Sequence, residues 1–255
     1  MGFERLNQLE EYIKEQKSAT PEELCQKFHI SMSTLRRDIS LLVQRGTVQK
    51  AYGYVSYNFE NAGKIIPFDV RNTIHTLEKQ AACSAAASLV EDNDTIYVDS
   101  GSTTCHLIDY IQDRQNITVI TSNLDLILRA APREHIRLLA LPGELNRKNN
   151  SFSPVSGVDL LCHLNFSKAF IAASGLTLED GFSHSYLSER PLKQAVMSKA
   201  ARHYFILDDS KFGEKSLLHL CPVSRADAIC TNRLPEAAYI DYCHEHGIPL
   251  LTADS

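Results

Sequence analysis

The chain has 255 residues, and its 26 Lys and Arg against 31 Asp and Glu give a formal net charge of −5. This length holds a small domain plus one larger domain of ordinary size, and the negative charge excludes a general polyanion binder. The seven cysteines include no C-x-x-C pair, so we expect buried thiols in a reducing compartment rather than disulfides or a metal site. The chain opens without a signal-peptide-like apolar stretch and contains no run of 18 apolar residues, which predicts a cytoplasmic protein without a membrane partner.

The first part of the chain predicts three helices in close succession. Leu9 and Ile13 belong to an apolar stripe on the first helix. The sequence TPEE at residues 20–23 has the form of a capping box with proline in the first turn, so a second helix begins there. Ser31 is a suitable N-cap for a third helix, and Gly46 is expected to cap its C-terminal end. The very short connection between the second and third helices is typical of a helix-turn-helix.

The third helix has two faces of opposite character. Leu35, Ile39 and Leu42 form an apolar face for packing. The other face is polar, and arginine is suited both to bidentate contact with guanine and to phosphate. Alternating residues between 47 and 57 predict a hairpin wing, which completes a winged helix-turn-helix over residues 1–57. We predict that double-stranded DNA is contacted by Ser31, Ser33, Thr34, Arg36, Arg37, Ser40, Lys50 and Tyr52.

The remainder of the chain predicts an α/β domain. Residues 58–73, interrupted by Asn61, Gly63 and Pro67, are expected to form a linker, and the α/β domain occupies residues 74–255. Short apolar runs alternate with helical patterns, which is typical of a parallel sheet covered by helices. The predicted strands lie at 95–98, 117–120, 136–141, 169–172, 204–207, 228–230 and 249–251.

Polar residues follow the predicted strands, at the edge where parallel sheets bind ligands. Gly101 would allow the backbone to approach an anion at a helix N-terminus, and Arg147 would supply a guanidinium for phosphate. Hydroxyls, amides and carboxylates together with three cations suit a phosphorylated sugar or polyol. We therefore predict such an effector, with no cofactor, no metal and no catalytic residue. The predicted effector contacts are Asp99, Ser100, Gly101, Ser102, Thr103, Thr104, Thr121, Ser122, Asn123, Gly143, Arg147, Ser174, Gly175, Glu189, Lys193 and Lys211.

The third helix resembles the signature of the DeoR family of bacterial regulators in the run SMSTLRRDISLL at residues 31–42. Loops similar to those of the family's sensor domain lie at 99–103, 121–123 and 210–213. The resemblance implies a DNA-binding regulator whose sensor domain is similar in fold to ribose-5-phosphate isomerases and CoA transferases. The chain departs from the family at the wing, where AYGY at residues 51–54 replaces a His-Gly-Gly run, and at Ser174, where the family has an aspartate.

Two kinds of function fit these features. The first is a transcriptional repressor of a carbohydrate or polyol catabolic operon, modulated by a phosphorylated sugar. An activator of the same design is equally compatible, because operator position decides between the two. The second is a sugar-phosphate isomerase or transferase with a DNA-binding head. Isomerisation requires a carboxylate base, and with Ser174 in place of an acid only Asp99 and Glu189 remain, which favours the repressor. One head contacts few base pairs, so we expect a homodimer or homotetramer.

Overall fold

The computed structural model describes residues 2–45, 47–51, 54–57, 67–153 and 157–253. These residues belong to two compact units that divide between His75 and Thr76. The predicted helix cap Gly46 and the predicted DNA contact Tyr52 lie outside the described residues.

Helices and a small antiparallel sheet build the described part of the first unit. The helices are α1 (Gly2–Gln16), α2 (Pro21–Phe28), α3 (Met32–Arg45) and α4 (Phe68–Thr73). The strands are β1 (Ser18–Ala19), β2 (Val48–Ala51) and β3 (Tyr54–Tyr57), and β3 pairs with both of the others. The predicted helix-turn-helix with its hairpin wing is therefore present, whereas residues 68–73 of the segment interpreted as a linker form a helix.

The turn between α2 and α3 follows from its local sequence. Thr20 Oγ1 accepts a hydrogen bond from Glu23 N at 3.3 Å, and Thr20 N donates to Glu23 Oε2 at 2.8 Å, which is the predicted capping box. His29 ends α2 in the left-handed conformation at φ 50°, and Ser31 Oγ caps α3 by accepting from Thr34 N at 3.2 Å. The core that these elements enclose contains Leu6, Leu9, Ile13, Leu24, Leu35, Ile39, Leu42, Val48 and Val55.

A seven-stranded parallel sheet forms the centre of the second unit, as the alternation of strands and helices predicts. Its strands are β4 (Thr95–Val98), β5 (Thr118–Thr121), β6 (Arg137–Ala140), β9 (Lys168–Ala172), β12 (Arg202–Ile206), β14 (Ala228–Cys230) and β15 (Leu250–Leu251). Their spatial order is β15-β14-β12-β9-β4-β5-β6, and each neighbouring pair is parallel. The α-helices described in this unit are α5 (Thr76–Ala87), α6 (Leu124–Ala130), α7 (Gly157–His163), α8 (Arg190–Lys199) and α9 (Ala237–Glu245).

Two groups of short antiparallel strands are additions that the sequence did not predict. The first is a hairpin of β7 (Glu144–Asn146) and β8 (Ser151–Ser153). The second is a three-stranded sheet of β10 (Gly175–Thr177), β11 (Gly181–His184) and β13 (Leu218–Cys221). These strands mix polar with apolar residues, as in ELN and SFS of the hairpin, so they lack the apolar run by which the strands of the main sheet were predicted.

The small sheet packs on the main sheet through stacked aromatic rings. Phe182 of β11 lies on Phe205 of β12 with 3.6 Å between ring centroids. The pairing of β11 with β13 shifts register between Phe182 and Ser183, and His184 ends β11 beyond that shift. All four residues of β11 are buried, and 2% of His184 is exposed.

No helix in the described part of the chain has the length and hydropathy needed to cross a bilayer. No group of three His, Cys, Asp or Glu residues in the described ranges is arranged to hold a metal ion. The free thiols found among the described side chains are Cys25, Cys83, Cys105, Cys221, Cys230 and Cys243.

Candidate functional site

The N-terminal half of α3 presents the predicted DNA-binding groups on its exposed face. Ser31 Oγ lies 2.9 Å from both Ser33 Oγ and Thr34 Oγ1, so three hydroxyls cluster where the helix begins. Arg36 and Arg37 are exposed and form no ion pair within the described residues. Their guanidinium groups are therefore available for bases or phosphates.

The hairpin wing is tied to α3 through a side chain that was predicted to touch DNA. Ser40 Oγ donates to Arg36 O at 2.7 Å and accepts from Lys50 Nζ at 3.2 Å. Ser40 thus bridges α3 to β2 and holds the Lys50 ammonium beside the exposed face of α3. Its hydroxyl is engaged within the protein, and a contact of Ser40 with DNA stays a prediction.

A partly buried ion pair, which the sequence analysis missed, joins α1 to α3. Arg5 Nε lies 2.9 Å from Asp38 Oδ2, and 7% of the Asp38 side chain is exposed. Asp38 sits on the inner face of α3, three residues after Leu35. An acid at a core position of an amphipathic helix is the signal that would have revealed it, because such a charge needs a partner.

The carboxyl edge of the main sheet carries a buried ion pair. Lys193 Nζ of α8 contacts Asp99 Oδ2 after β4, and the two side chains are 4% and 2% exposed. Asp99 Oδ2 also accepts from Ala172 N at 3.1 Å, and Lys193 Nζ donates to Ala172 O at 3.3 Å. Glu189 Oε2 lies 3.9 Å from the same ammonium. Two carboxylates and one ammonium leave this group with a net charge of −1.

The loop after β4 is held by its own side chains. Thr104 Oγ1 donates to Asp99 O at 2.8 Å and accepts from Gly101 N at 3.1 Å. A Cβ at Gly101 would lie 2.3 Å from the Ala172 Cβ, so glycine is required there by the neighbouring strand. The predicted reason for this glycine was approach to an anion. The structure gives a different one, which is close packing.

The polar residues after β5 also have partners within the protein. Thr121 Oγ1 donates to Val98 O at 2.7 Å, and Asn123 Nδ2 donates to Gly101 O at 3.1 Å. Asn123 Oδ1 caps α6 by accepting from the backbone N–H groups of Asp125 and Leu126. These two side chains therefore position the loops of the sheet edge rather than present free groups.

A narrow cavity opens beside the ion pair. Ser100 Oγ donates to Glu189 Oε1 at 3.1 Å on one wall, and the hairpin β7–β8 forms another. The cavity is lined by Asp99, Ser100, Ser122, Ser151, Phe152, Ser153, Ser188, Glu189, Leu192 and Lys193. The structure thus brings together five of the predicted effector contacts, namely Asp99, Ser100, Ser122, Glu189 and Lys193.

The other predicted effector contacts do not line this cavity. Ser102 and Thr103 are buried in the loop, Ser174 Oγ accepts from Ser185 Oγ at 3.0 Å, and Arg147 is exposed in the turn of the β7–β8 hairpin. A Cβ at Gly143 or Gly175 would lie within 2.2 Å of a backbone oxygen, so both are packing positions. The further residues away from the lining are Gly101, Thr104, Thr121, Asn123 and Lys211.

Lys211 is half-buried in a 3₁₀ turn, Asp209–Lys211, and forms no ion pair within the described residues. A bridge from Lys211 to Asp208 or Asp209 would have been the simple structural explanation for this lysine. Asp209 instead lies 2.5 Å from Arg233 Nη2. Lys211 therefore stays a predicted effector contact.

Two buried residues near the cavity were missed by the sequence analysis. Asn149, in the turn of the β7–β8 hairpin, donates from Nδ2 to Glu189 Oε1 at 2.8 Å. His184 lies near Lys193 and Asp99. Burial first, and then the Lys193 charge, lower the pKa of His184 from 6.5 to about 4, so its ring is neutral at pH 7. Neither residue follows a strand of the main sheet, which is why the strand-end rule did not select them.

The chain matches two family models that together span most of its length. The DeoR-like helix-turn-helix domain matches residues 5–60, and the DeoR C terminal sensor domain matches residues 74–233. These matches define a transcriptional regulator with a DNA-binding head and a sensor domain. The chain is 35% identical over 248 residues to the HTH-type transcriptional regulator IolR of Bacillus subtilis (strain 168), covering 97% of this chain and 98% of that one. The chain belongs to the DeoR family.

Two further similarities are more distant. The deoxyribose operon repressor of Escherichia coli (strain K12) is 27% identical over 248 residues, covering 97% of each chain. Among solved structures, ribose 5-phosphate isomerase from Plasmodium falciparum has a TM-score of 0.40 and 19% identity, covering 55% of this chain and 54% of that one. That last similarity concerns the fold alone.

Proposed function

We propose that this regulator is a repressor of a carbohydrate or polyol catabolic operon and that a phosphorylated sugar or polyol modulates its DNA binding. The observation that carries this proposal is the cavity of the sensor domain, where five serines, two carboxylates and one lysine converge. Such a set of groups suits a ligand with many hydroxyls. The name of the deoxyribose operon repressor, a relative over nearly the whole chain, supports the repressor assignment.

The DNA-binding half of the proposal rests on the exposed face of α3. Arg36 and Arg37 are unpaired within the described residues, and Lys50 adds a cation from the wing. A single head contacts few base pairs, so the protein is proposed to act as a dimer or tetramer on half-sites spaced by about 34 Å or multiples of it. Arg36, Arg37, Ser31, Ser33, Thr34 and Lys50 are the proposed contacts within the described residues.

Effector binding is proposed to shift a conformational equilibrium. A ligand lowers operator affinity only by its differential affinity for the two states, typically about 1–3 kcal/mol per site. Several subunits acting together would give a usable switch. An activator would use the same parts, and a reporter strain with the gene deleted separates the two, because loss of a repressor raises expression of its target.

An enzymatic role is disfavoured by the state of the candidate bases. Asp99 Oδ2 is engaged by Lys193 and by Ala172 N, and Glu189 Oε1 by Ser100 and Asn149. Hydrogen bonds that these carboxylates already make within the protein compete with the proton transfer that a general base must perform. The relatives with which the chain shares most of its length are regulators.

The test uses the full-length protein and DNA selected from a random duplex library. We expect a discrete sequence to be enriched, and a panel of pentose, hexose and polyol phosphates to contain a compound that raises the melting temperature and changes affinity for that sequence. Turnover of the panel compounds would be measured in parallel and is expected to be absent. Failure to enrich any sequence would refute DNA recognition, and absence of any stabilising compound would refute sensing.

A further inference from the structure

Buried polar atoms without a hydrogen-bond partner lie next to residues that line the cavity of the sensor domain. Within the described residues they include Asn149 Oδ1, beside Glu189, and both ring nitrogens of His184, beside Lys193 and Asp99. Buried polar groups in proteins are normally hydrogen-bonded, so a group of exceptions around one cavity indicates atoms whose partner is a ligand.

The Asn149 amide is oriented by its neighbour. Its Nδ2 donates to Glu189 Oε1 at 2.8 Å, and a carboxylate only accepts hydrogen bonds, so the nitrogen must face Glu189. The Oδ1 atom is consequently left as a buried acceptor. It needs a donor, and a phosphate at neutral pH offers essentially none.

The His184 ring stands beside the buried ion pair. Its charge environment is set by Lys193, Asp99 and Arg190, and the Tyr186 backbone acts on it weakly without a hydrogen bond of good geometry. A neutral imidazole carries one donor and one acceptor. A hydroxyl group, which both donates and accepts, is the matching partner.

The net charge of the cavity also favours hydroxyl groups over a phosphate as the ligand groups bound there. The Asp99, Glu189 and Lys193 group carries −1, and Asn149 and His184 are neutral. A phosphate adds about −1.5 to −2 and brings acceptor oxygens against carboxylate and amide acceptors. Hydroxyl groups add no charge and supply the donor that Asn149 Oδ1 needs.

We propose that Asn149 and His184 bind hydroxyl groups of the effector, so that this end of the cavity receives its uncharged, polyhydroxylated part and not its phosphate. The inference rests on the proposed sensor function and deepens it. Asn149 and His184 are then specificity-determining residues: they select the hydroxyl pattern, while the phosphate is bound outside the group formed by Asp99, Glu189 and Lys193.

The experiment begins with the sugar and polyol phosphate panel on the wild-type protein and continues with the compound that stabilises it most. His184→Phe removes both hydrogen-bonding nitrogens and keeps a buried ring, and we expect it to weaken that compound about tenfold. His184→Gln keeps a donor and an acceptor and should stay within about threefold of wild type. Deoxy analogues complete the test, because the analogue that lacks the contacted hydroxyl should bind wild type and His184→Phe with equal affinity.

The chain offers a matched control in His106. This ring is also 2% exposed, has no partner for either nitrogen within the described residues, and has a pKa lowered to about 4 by burial and Arg129. Its charged neighbours do not line the cavity. His106→Phe should therefore leave affinity within about twofold of wild type. If His184→Phe does not fold, Asn149→Ala carries the same test, with about a tenfold loss expected.

The outcomes separate the two levels of the proposal. If no panel compound stabilises the wild type, the sensor function fails and the inference fails with it. If a compound binds but the His184 and Asn149 variants bind it as wild type does, the inference is overturned while the sensor function stands. Equal losses in His106→Phe and His184→Phe would also overturn it, since the effect would then be general loosening of the fold.

Discussion

Replacement of Lys193 by methionine would break the buried ion pair of the sensor domain from one side. Methionine keeps most of the side-chain volume and removes the ammonium. Asp99, 2% exposed, would then keep the hydrogen bond from Ala172 N at 3.1 Å and lose its cation. Glu189, 3.9 Å from the ammonium, would lose the same neighbour, so two carboxylates would face each other. We expect marked destabilisation.

The magnitude follows from the burial. Removing one partner of a buried ion pair costs about 3–5 kcal/mol, because the remaining charge stays desolvated. Glu189 keeps its bonds to Ser100 and Asn149, so Asp99 accounts for most of the cost. Adding Asp99→Asn to Lys193→Met removes the uncompensated charge. Replacing both partners of such a pair is often close to neutral, so the double variant should recover most of the loss.

Urea unfolding followed by circular dichroism measures these differences, since the chain has no tryptophan. Lys215→Met is the matched control: Lys215 lies 2.7 Å from Asp180, but the side chains are 64% and 45% exposed. An exposed pair contributes about 0–1 kcal/mol, so the control should unfold almost like wild type. A Lys193→Met protein within about 1 kcal/mol of wild type, or a double variant no more stable than the single one, would refute the reasoning.

Three further predictions concern DNA, salt and pH. Arg36→Ala and Arg37→Ala should each weaken operator binding by about 1–3 kcal/mol where a base contact is lost. Fluorescence anisotropy measures the affinity, with a scrambled duplex as the control. Wild-type affinity in both variants would contradict the assignment of α3 as the DNA-binding helix. A plot of log affinity against log salt concentration should have a slope of about −0.9 for each phosphate contacted. An affinity that does not change with salt concentration would argue against DNA as the partner. Folding lowers the pKa values of His106 and His184 from 6.5 to about 4, so the folded protein binds fewer protons on these rings than the unfolded chain does. The free energy of unfolding should therefore be highest above pH 6.5 and fall between pH 6.5 and pH 4. The expected loss is on the order of 3 kcal/mol per ring. His106→Phe and His184→Phe should each reduce this loss of stability between pH 6.5 and pH 4. An unchanged loss in both variants would refute the assignment of the pH dependence to these two rings.

The secondary structure of this chain was predictable where one local pattern dominates. The capping box at 20–23 and the cap at Ser31 fix the turn of the helix-turn-helix, and each strand of the main sheet is a short apolar run. The β7–β8 hairpin and the small sheet were not predictable, because their strands contain no apolar run and form only through tertiary pairing. The partner of Asp38 was not predictable for the same reason, since Arg5 is 33 residues away.

The sequence grouped several residues of the candidate cavity but could not assign their individual roles. The strand-end rule correctly grouped Asp99, Glu189 and Lys193 at one edge of the sheet. It could not separate polar groups that face the cavity from those that hold the loops, such as Thr104 and Asn123. That distinction depends on which backbone groups remain to be satisfied after folding, and a sequence pattern does not contain it.

The hydrogen bonds around the cavity indicate how ligand binding would become a conformational change. Asn149 donates to Glu189 at 2.8 Å, and the Tyr186 hydroxyl donates to Lys148 O at 3.1 Å, so the β7–β8 hairpin is held against the start of α8. A ligand whose hydroxyls bond to Asn149 and Glu189 competes with those contacts. Its binding energy would then depend on where the hairpin lies relative to α8. A ligand can shift an equilibrium only through such state-dependent contacts, which is the property that a sensor needs and a rigid binding site lacks.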